Sequence, residues 1–123
     1  MKYMLIIYGN QELWSSIDPA EMAKEIAAFD VFNKKFYDSG ELLGAYGVAD
    51  AAATKLVRLA DGQPAVTDGP YLETKEYIGS LYLLDVANEE RAREIAADMP
   101  WAGSDPVEIW PVLHEAQSED PSS

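Results

Sequence analysis

The sequence predicts an α+β fold in which two helices cover one face of an antiparallel sheet. Two amphipathic helical stretches and several short runs of β-branched and aromatic residues lead to this prediction. In chain order the elements are strand, helix, strand, hairpin, strand, helix and strand. A length of 123 residues, with 48% hydrophobic residues, is the size of one domain.

The first strand and the first helix have clear local signals. Residues 2–8 are rich in β-branched and aromatic side chains, which favours a strand. Asp18 is the predicted N-cap of the helix, Pro19 takes its first position, and Glu21 completes a capping box. Gly40 ends the helix. An apolar stripe at intervals of three and four residues runs along it: Met22, Ile26, Phe29, Phe32 and Phe36.

The middle of the chain predicts a second strand and a short hairpin. Residues 42–48 are apolar but interrupted by two glycines, which indicates a bulge or a close approach of the backbone. Residues 54–59 alternate in polarity, Asp61-Gly62 is a turn signal, and residues 65–67 return along the first run. These three segments predict a hairpin inserted before the longest strand.

The last third predicts a strand, a helix and a final strand. Residues 77–86 form the longest strand candidate, and Asn88 is the predicted N-cap of a helix that Pro100 ends. Residues 107–113 form the last strand, in which Pro111 indicates an edge or a bulge. The core side of the helix is the stripe of Ala92, Ile95, Ala96 and Met99.

Together the elements contain the ferredoxin-like β-α-β-β-α-β pattern with an inserted hairpin. Residues 1–114 are expected to form one domain, and the acidic residues 115–123 are expected to be disordered. Two helices can cover only one face of the sheet, yet residues 4–8 and 77–86 are apolar at both parities. We therefore expect a symmetric homodimer in which two sheets pack face to face.

Composition excludes several classes of function. The formal charge of −13 and a pI of about 4.2 make nucleic acid and anionic membrane unfavourable partners. The chain has no cysteine, which excludes disulfides and thiolate chemistry and favours the cytoplasm. The apolar run at residues 3–8 is too short for a signal sequence or a membrane span, so no targeting segment is expected.

Familiar catalytic and cofactor motifs are largely absent from the sequence. The sequence has no glycine-rich phosphate loop, zinc-protease motif or nucleophile elbow, and its carboxylates do not follow a calcium-loop spacing. We therefore expect no cofactor and no metal. The single histidine, His114, lies beside Glu115, where a solvated side chain is the commoner outcome. Packing is likewise the commoner use of Trp14, Trp101 and Trp110.

Residues 68–76 (DGPYLETKE), called the 68–76 loop below, are dense in turn formers and charge. Gly69-Pro70 predicts a tight turn that projects Asp68 and Tyr71, and two acids and one base follow within a few residues. One interpretation is a solvated turn whose charges pair locally. The other is the rim of a pocket in which the charges alter one another's pKa.

Residues 66–76 (VTDGPYLETKE), followed by Ile78-Gly79, resemble the signature of the DGPF (DGPFAETKE-type) proteins of the YCII-related superfamily. The resemblance extends to the opening MKYMLIIYG, to Asp61-Gly62 and to the ending VEIWP at residues 107–111. It covers roughly residues 1–114. It implies a ferredoxin-like fold and a dimeric α/β barrel, as the strand pattern does independently.

The chain departs from the family pattern at several positions. Tyr71 replaces the usual Phe, Leu72 replaces a small residue, Ser80 stands where Gly is common, and Trp110 stands where Arg is frequent. A His–Asp pair is implicated in catalysis in the wider superfamily. Here Asp38 resembles the aspartate, but the first helix has no histidine, so the pair does not carry over.

One hypothesis is an enzyme that performs cofactor-free acid–base chemistry on a small, partly aromatic metabolite. Asp68, Glu73 or Glu76 would be the acid or base, and Lys75 would stabilise developing negative charge. The expected pocket residues are Tyr8, Gly69, Pro70, Tyr71 and Thr74.

The alternative is a non-catalytic ligand-sensing or regulatory module. The resemblance implies a link to a sigma factor of the extracytoplasmic-function type, and the net negative charge would attract a basic protein partner. A third possibility is that the 68–76 loop only fixes the turn that leads into the longest strand.

Overall fold

A computed structural model of the chain describes residues 1–9, 16–71, 77–100, 102–103 and 105–116. The strands in these ranges are β1 (Lys2–Gly9), β2 (Leu42–Gly47), β3 (Lys55–Ala60), β4 (Gln63–Asp68), β5 (Tyr77–Asp85) and β6 (Val107–Pro111). The helices are α1 (Pro19–Asp38) and α2 (Glu89–Asp98), and Ala51–Ala53 forms a short 3-10 turn. The predicted order of elements is confirmed. In the described ranges, neither helix is long and apolar enough to cross a membrane.

Four strands form the main sheet in the order β2-β5-β1-β6, with every neighbouring pair antiparallel. If only these four strands are numbered along the chain, their order across the sheet is second, third, first and fourth. This is the ferredoxin-like arrangement. Strands β3 and β4 form a separate two-stranded sheet, the predicted hairpin. Its turn places Asp61 and Gly62 at φ values of 52° and 76°, the left-handed conformation that an Asp-Gly hairpin turn uses. The α+β, ferredoxin-like prediction with an inserted hairpin is therefore confirmed.

Both helices pack against one face of the main sheet, which we call the inner face. Leu5 of β1, Leu84 of β5 and Ile95 of α2 are fully buried there. Of the predicted apolar stripe of α1, Phe32 and Phe36 are buried, and their rings meet edge to face at 4.9 Å. Nearer the start of α1, Met22 and Phe29 are partly buried and border a cavity, whereas Ile26 is exposed.

The two predicted N-caps differ in the structure. The Asn88 side chain accepts a hydrogen bond from the Arg91 backbone N–H at 2.9 Å, as predicted. The Asp18 side chain makes no cap hydrogen bond, so the predicted capping box is wrong. Glu21 instead lies 3.4 Å from the Lys24 ammonium, one turn along the helix.

Replacing Asn88 by alanine is therefore expected to lower the free energy of unfolding by about 1 kcal/mol, because the N-cap hydrogen bond is lost. Asp18→Ala, the matched change at the uncapped helix start, should cost less than half as much. Urea unfolding followed by circular dichroism measures both. Equal losses for the two variants would contradict the assignment of the caps.

Candidate functional site

The structure describes the first part of the predicted 68–76 loop. Asp68 is the last residue of β4, and its carboxylate accepts from the Lys55 ammonium at 2.7 Å across the hairpin. The Asp68 side chain is 84% exposed, so this pair faces water. The predicted site residues Glu73, Thr74, Lys75 and Glu76 lie outside the described residues, as do Trp14 and Trp101.

Gly69, Pro70 and Tyr71 attach the loop to the hairpin. The Gly69 N–H donates to the Thr54 carbonyl at 2.9 Å, and the Gly69-Pro70 peptide is cis. A Cβ at Gly69 would lie 2.8 Å from the Thr54 methyl, so the two chain segments approach more closely than a side chain allows. The Tyr71 ring is exposed and lies 5.6 Å from the Arg58 guanidinium, within the range of a cation–π contact.

A cavity of about 370 Å³, the outer cavity, opens beside this loop. Its walls come from residues 48–51, from Ala53 and Thr54, from Pro70, and from Tyr77, Ile78 and Leu81 of β5. Among the described residues of this loop, Pro70 is a predicted pocket residue that borders the cavity. The walls are mainly apolar, and Asp50 is one of the wall residues.

Asp50 is held by the short turn that follows it. Its carboxylate accepts from the Ala52 backbone N–H at 3.3 Å and caps the turn Ala51–Ala53. Sequence reasoning missed this residue. The available signal was an aspartate before three alanines, which is typical of an N-cap but says nothing about a cavity.

A second cavity, of about 300 Å³, lies between α1 and the inner face of the sheet. Met22 and Phe29 of α1 face Ile7 and Tyr82 across it. Val48 borders both this inner cavity and the outer one. The two cavities therefore lie on opposite sides of the same end of the sheet.

The face of the main sheet turned away from the helices, the outer face, is largely apolar. The strand registers and the alternation of burial along the strands define it. It carries Met4, Ile6 and Tyr8 of β1, Tyr46 of β2, Leu81 and Leu83 of β5, and Glu108 and Trp110 of β6. A Cβ at Gly44 would meet the Tyr46 ring, with the nearest atom at 2.6 Å, so this tyrosine folds back over the glycine.

Tyr8, a predicted pocket residue, lies on the outer face next to Ile78, a wall residue of the outer cavity. The Glu108 carboxylate, as a hydrogen-bond acceptor for the hydroxyl, raises the pKa of Tyr8, and burial and the negative charge of Glu108 add to the shift. The Trp110 indole Nε1 donates to Glu108 Oε1 at 3.0 Å. Sequence reasoning missed Glu108, whose signal is a single acid in the apolar last strand.

A family model for the YCII-related domain matches residues 1–116. The chain belongs to the YCII-related domain family. It is also similar to the uncharacterized protein R00369 of Rhizobium meliloti (strain 1021), at 27% identity over 126 residues that span 99% of this chain and all of that protein. The predicted membership of the YCII-related superfamily is confirmed.

The remaining candidates of this YCII-related chain are surface groups. Asp38 accepts from the Lys34 ammonium at 2.8 Å on the exposed side of α1. His114 is exposed after β6, and Glu115 pairs with Lys2 at 2.6 Å. Within the described ranges no three His, Asp or Glu side chains are grouped as metal ligands. The predicted disordered tail lies outside the described residues from residue 117 onward.

Proposed function

We propose that this YCII-related protein is a cytoplasmic homodimer that binds a small, partly aromatic molecule in the outer cavity and acts on it by acid–base chemistry without a cofactor. The outer cavity carries the proposal. Its volume of about 370 Å³ suits a small metabolite, and its walls combine apolar residues with one acidic residue, Asp50.

The outer face supports the homodimer. Tyr46 and Trp110 are more than half exposed there, beside the half-buried Met4, Leu81 and Leu83. A second copy packed on this face by a two-fold axis would cover these side chains in both chains at once. Since Leu81 belongs to both the outer face and the outer cavity, the same contact would close the cavity from water.

Asp50 is the acid or base that the geometry of the cavity favours. It borders the cavity, whereas the Asp68 carboxylate is paired with Lys55 in water. Acid–base catalysis needs a carboxyl group within hydrogen-bond reach of the reacting atoms, and a wall position provides that reach. The roles predicted for Glu73, Lys75 and Glu76 stay predictions, because these residues lie outside the described ranges.

Filling the outer cavity is expected to weaken ligand binding. Ala53 lines the cavity, so Ala53→Phe should raise the dissociation constant of the probe 4-phenylbutanol about tenfold. Ala97→Phe, the same change at an exposed position of α2, should leave it unaltered. A titration of ¹H–¹⁵N NMR spectra measures all three proteins. The same affinity for both variants, or no binding to the wild type at millimolar probe, would contradict the proposal.

The alternative is a ligand-sensing or regulatory module without catalysis. Its partner would then be a protein of a sigma-factor system. The exposed Asp68–Lys55 pair favours it, because a solvated ion pair suits a docking surface better than a proton-transfer site. Proton NMR of a small-molecule extract distinguishes the two. If the protein is an enzyme, the wild type would consume a compound of the extract and Asp50→Asn would not. If it is a sensor, the wild type would broaden the NMR signals of a compound without consuming it.

A further inference from the structure

Three side chains form a polar cluster on the outer face: Tyr8, Glu108 and Trp110. Glu108 and Trp110 alternate along β6, opposite Ile6 and Met4 of β1. Tyr8 lies two residues beyond Ile6 on the same strand, so all three side chains share one face. The indole N–H of Trp110 donates to the Glu108 carboxylate at 3.0 Å, and the influence of this carboxylate on the Tyr8 hydroxyl places the hydroxyl near it.

Both of these groups are neutral donors. They orient the carboxylate without neutralising its charge, and a carboxylate can accept about four hydrogen bonds in all. Glu108 is exposed on β6, an edge strand of the main sheet, so its carboxylate is open to solvent in a single chain. The arrangement presents an oriented, negatively charged acceptor between two aromatic side chains.

The cluster lies close to the outer cavity. Tyr8 is paired with Ile78, and Ile6 separates Glu108 from Leu81 in one row across the sheet. Ile78 and Leu81 are walls of the cavity. With strands about 4.8 Å apart, Glu108 lies two strands, or about 10 Å, from the backbone of that wall. A molecule with its apolar part in the cavity and a short flexible chain can therefore reach the carboxylate, and in the proposed homodimer it would lie between the outer faces of the two copies.

We propose that Glu108, oriented by Tyr8 and Trp110, anchors the cationic group of this molecule, so that the ligand class is an organic ammonium ion joined to an aromatic body. The inference rests on the proposed function, since the outer cavity holds the aromatic part. A carboxylate supplies the charge, and neighbouring aromatic rings favour an organic ammonium over a strongly hydrated inorganic cation.

The experiment compares 4-phenylbutylammonium with 4-phenylbutanol, which share the apolar part and differ in the charged end. In 150 mM salt, the wild type should bind the ammonium about tenfold more tightly than the alcohol. Glu108→Gln keeps the shape of the side chain and should abolish this preference while leaving the alcohol's affinity unchanged. The indole N–H signal of Trp110 should shift on binding of the ammonium and much less with the alcohol.

Glu90→Gln is the matched control, because it removes the same charge from an exposed position of α2. It should keep the preference for the ammonium. If Glu90→Gln and Glu108→Gln lose the preference for the ammonium equally, the overall charge of −13 attracts the ammonium. That result would overturn the anchor. Equal affinity of the wild type for both probes would overturn the anchor and leave the cavity proposal standing, whereas binding of neither would overturn both.

Discussion

Leu83→Glu is expected to dissociate the proposed homodimer and to raise its dissociation constant at least a hundredfold. Leu83 is half-buried on β5, opposite Met4 and Gly44, in the middle of the outer face. A two-fold interface would contain the new carboxylate twice, and burying an unpaired charge is strongly unfavourable. Each chain already carries a charge of −13, so repulsion between the copies adds to the effect.

Sedimentation equilibrium at micromolar protein measures this prediction. Val31→Glu adds the same charge at a side chain of α1 that is 70% exposed, and it should leave the dimer intact. Tyr46→Glu changes a residue of the outer face that is 62% exposed, so it should break the dimer with little effect on the fold of one chain. A wild type that sediments as a monomer, or a folded Leu83→Glu protein that stays dimeric, would overturn the sheet-face dimer.

The fold was predictable because its signals are local. Periodic apolar positions mark α1, a paired Asp61-Gly62 marks the hairpin turn, and the Asn88 side chain starts α2 by a contact three residues away. The predicted capping box also rests on a local signal, and it is wrong. Glu21 has a second local partner in Lys24, and sequence spacing alone cannot decide between the ion pair and the cap.

The candidate site was less predictable because three distant segments build it. Asp50, Pro70 and Ile78 meet at the outer cavity only after the hairpin folds beside the end of the main sheet. The partner of Asp68 also depends on register, because the Asp61-Gly62 turn places Lys55 directly opposite it. Glu108 joins Tyr8 only through the pairing of β1 with β6, the first and last strands.

Glu41→Gln is expected to lower the free energy of unfolding by about 2 kcal/mol at pH 7. The Arg91 Nε and Nη2 groups both donate to the Glu41 carboxylate at 2.8 Å, and the Ser39 hydroxyl donates to it at 2.9 Å. This fork joins the connection after α1 to the first turn of α2. The figure is below that of a fully buried pair, because the Arg91 side chain is 39% exposed although Glu41 is only 19% exposed.

The same pair makes the effect depend on pH. The hydrogen bond from Arg91 lowers the pKa of Glu41 below its ordinary value of 4.5, so the folded protein binds this proton less readily than the unfolded chain. The stabilisation is therefore complete above pH 4.5 and is lost as the pH falls through the lowered pKa. Urea unfolding of wild type and Glu41→Gln should show the full difference at pH 7 and a much smaller one near pH 3.

Glu94→Gln is the matched control for this prediction, because Glu94 accepts from the same guanidinium, through Nη1 at 2.9 Å. Its side chain is exposed, and it links Arg91 only within α2, so water replaces the lost bond and the expected loss is much smaller. The comparison separates an effect of the link between elements from a general loss of negative charge. Equal losses for the two variants, or a loss in Glu41→Gln that persists unchanged near pH 3, would contradict the role assigned to the Glu41–Arg91 pair.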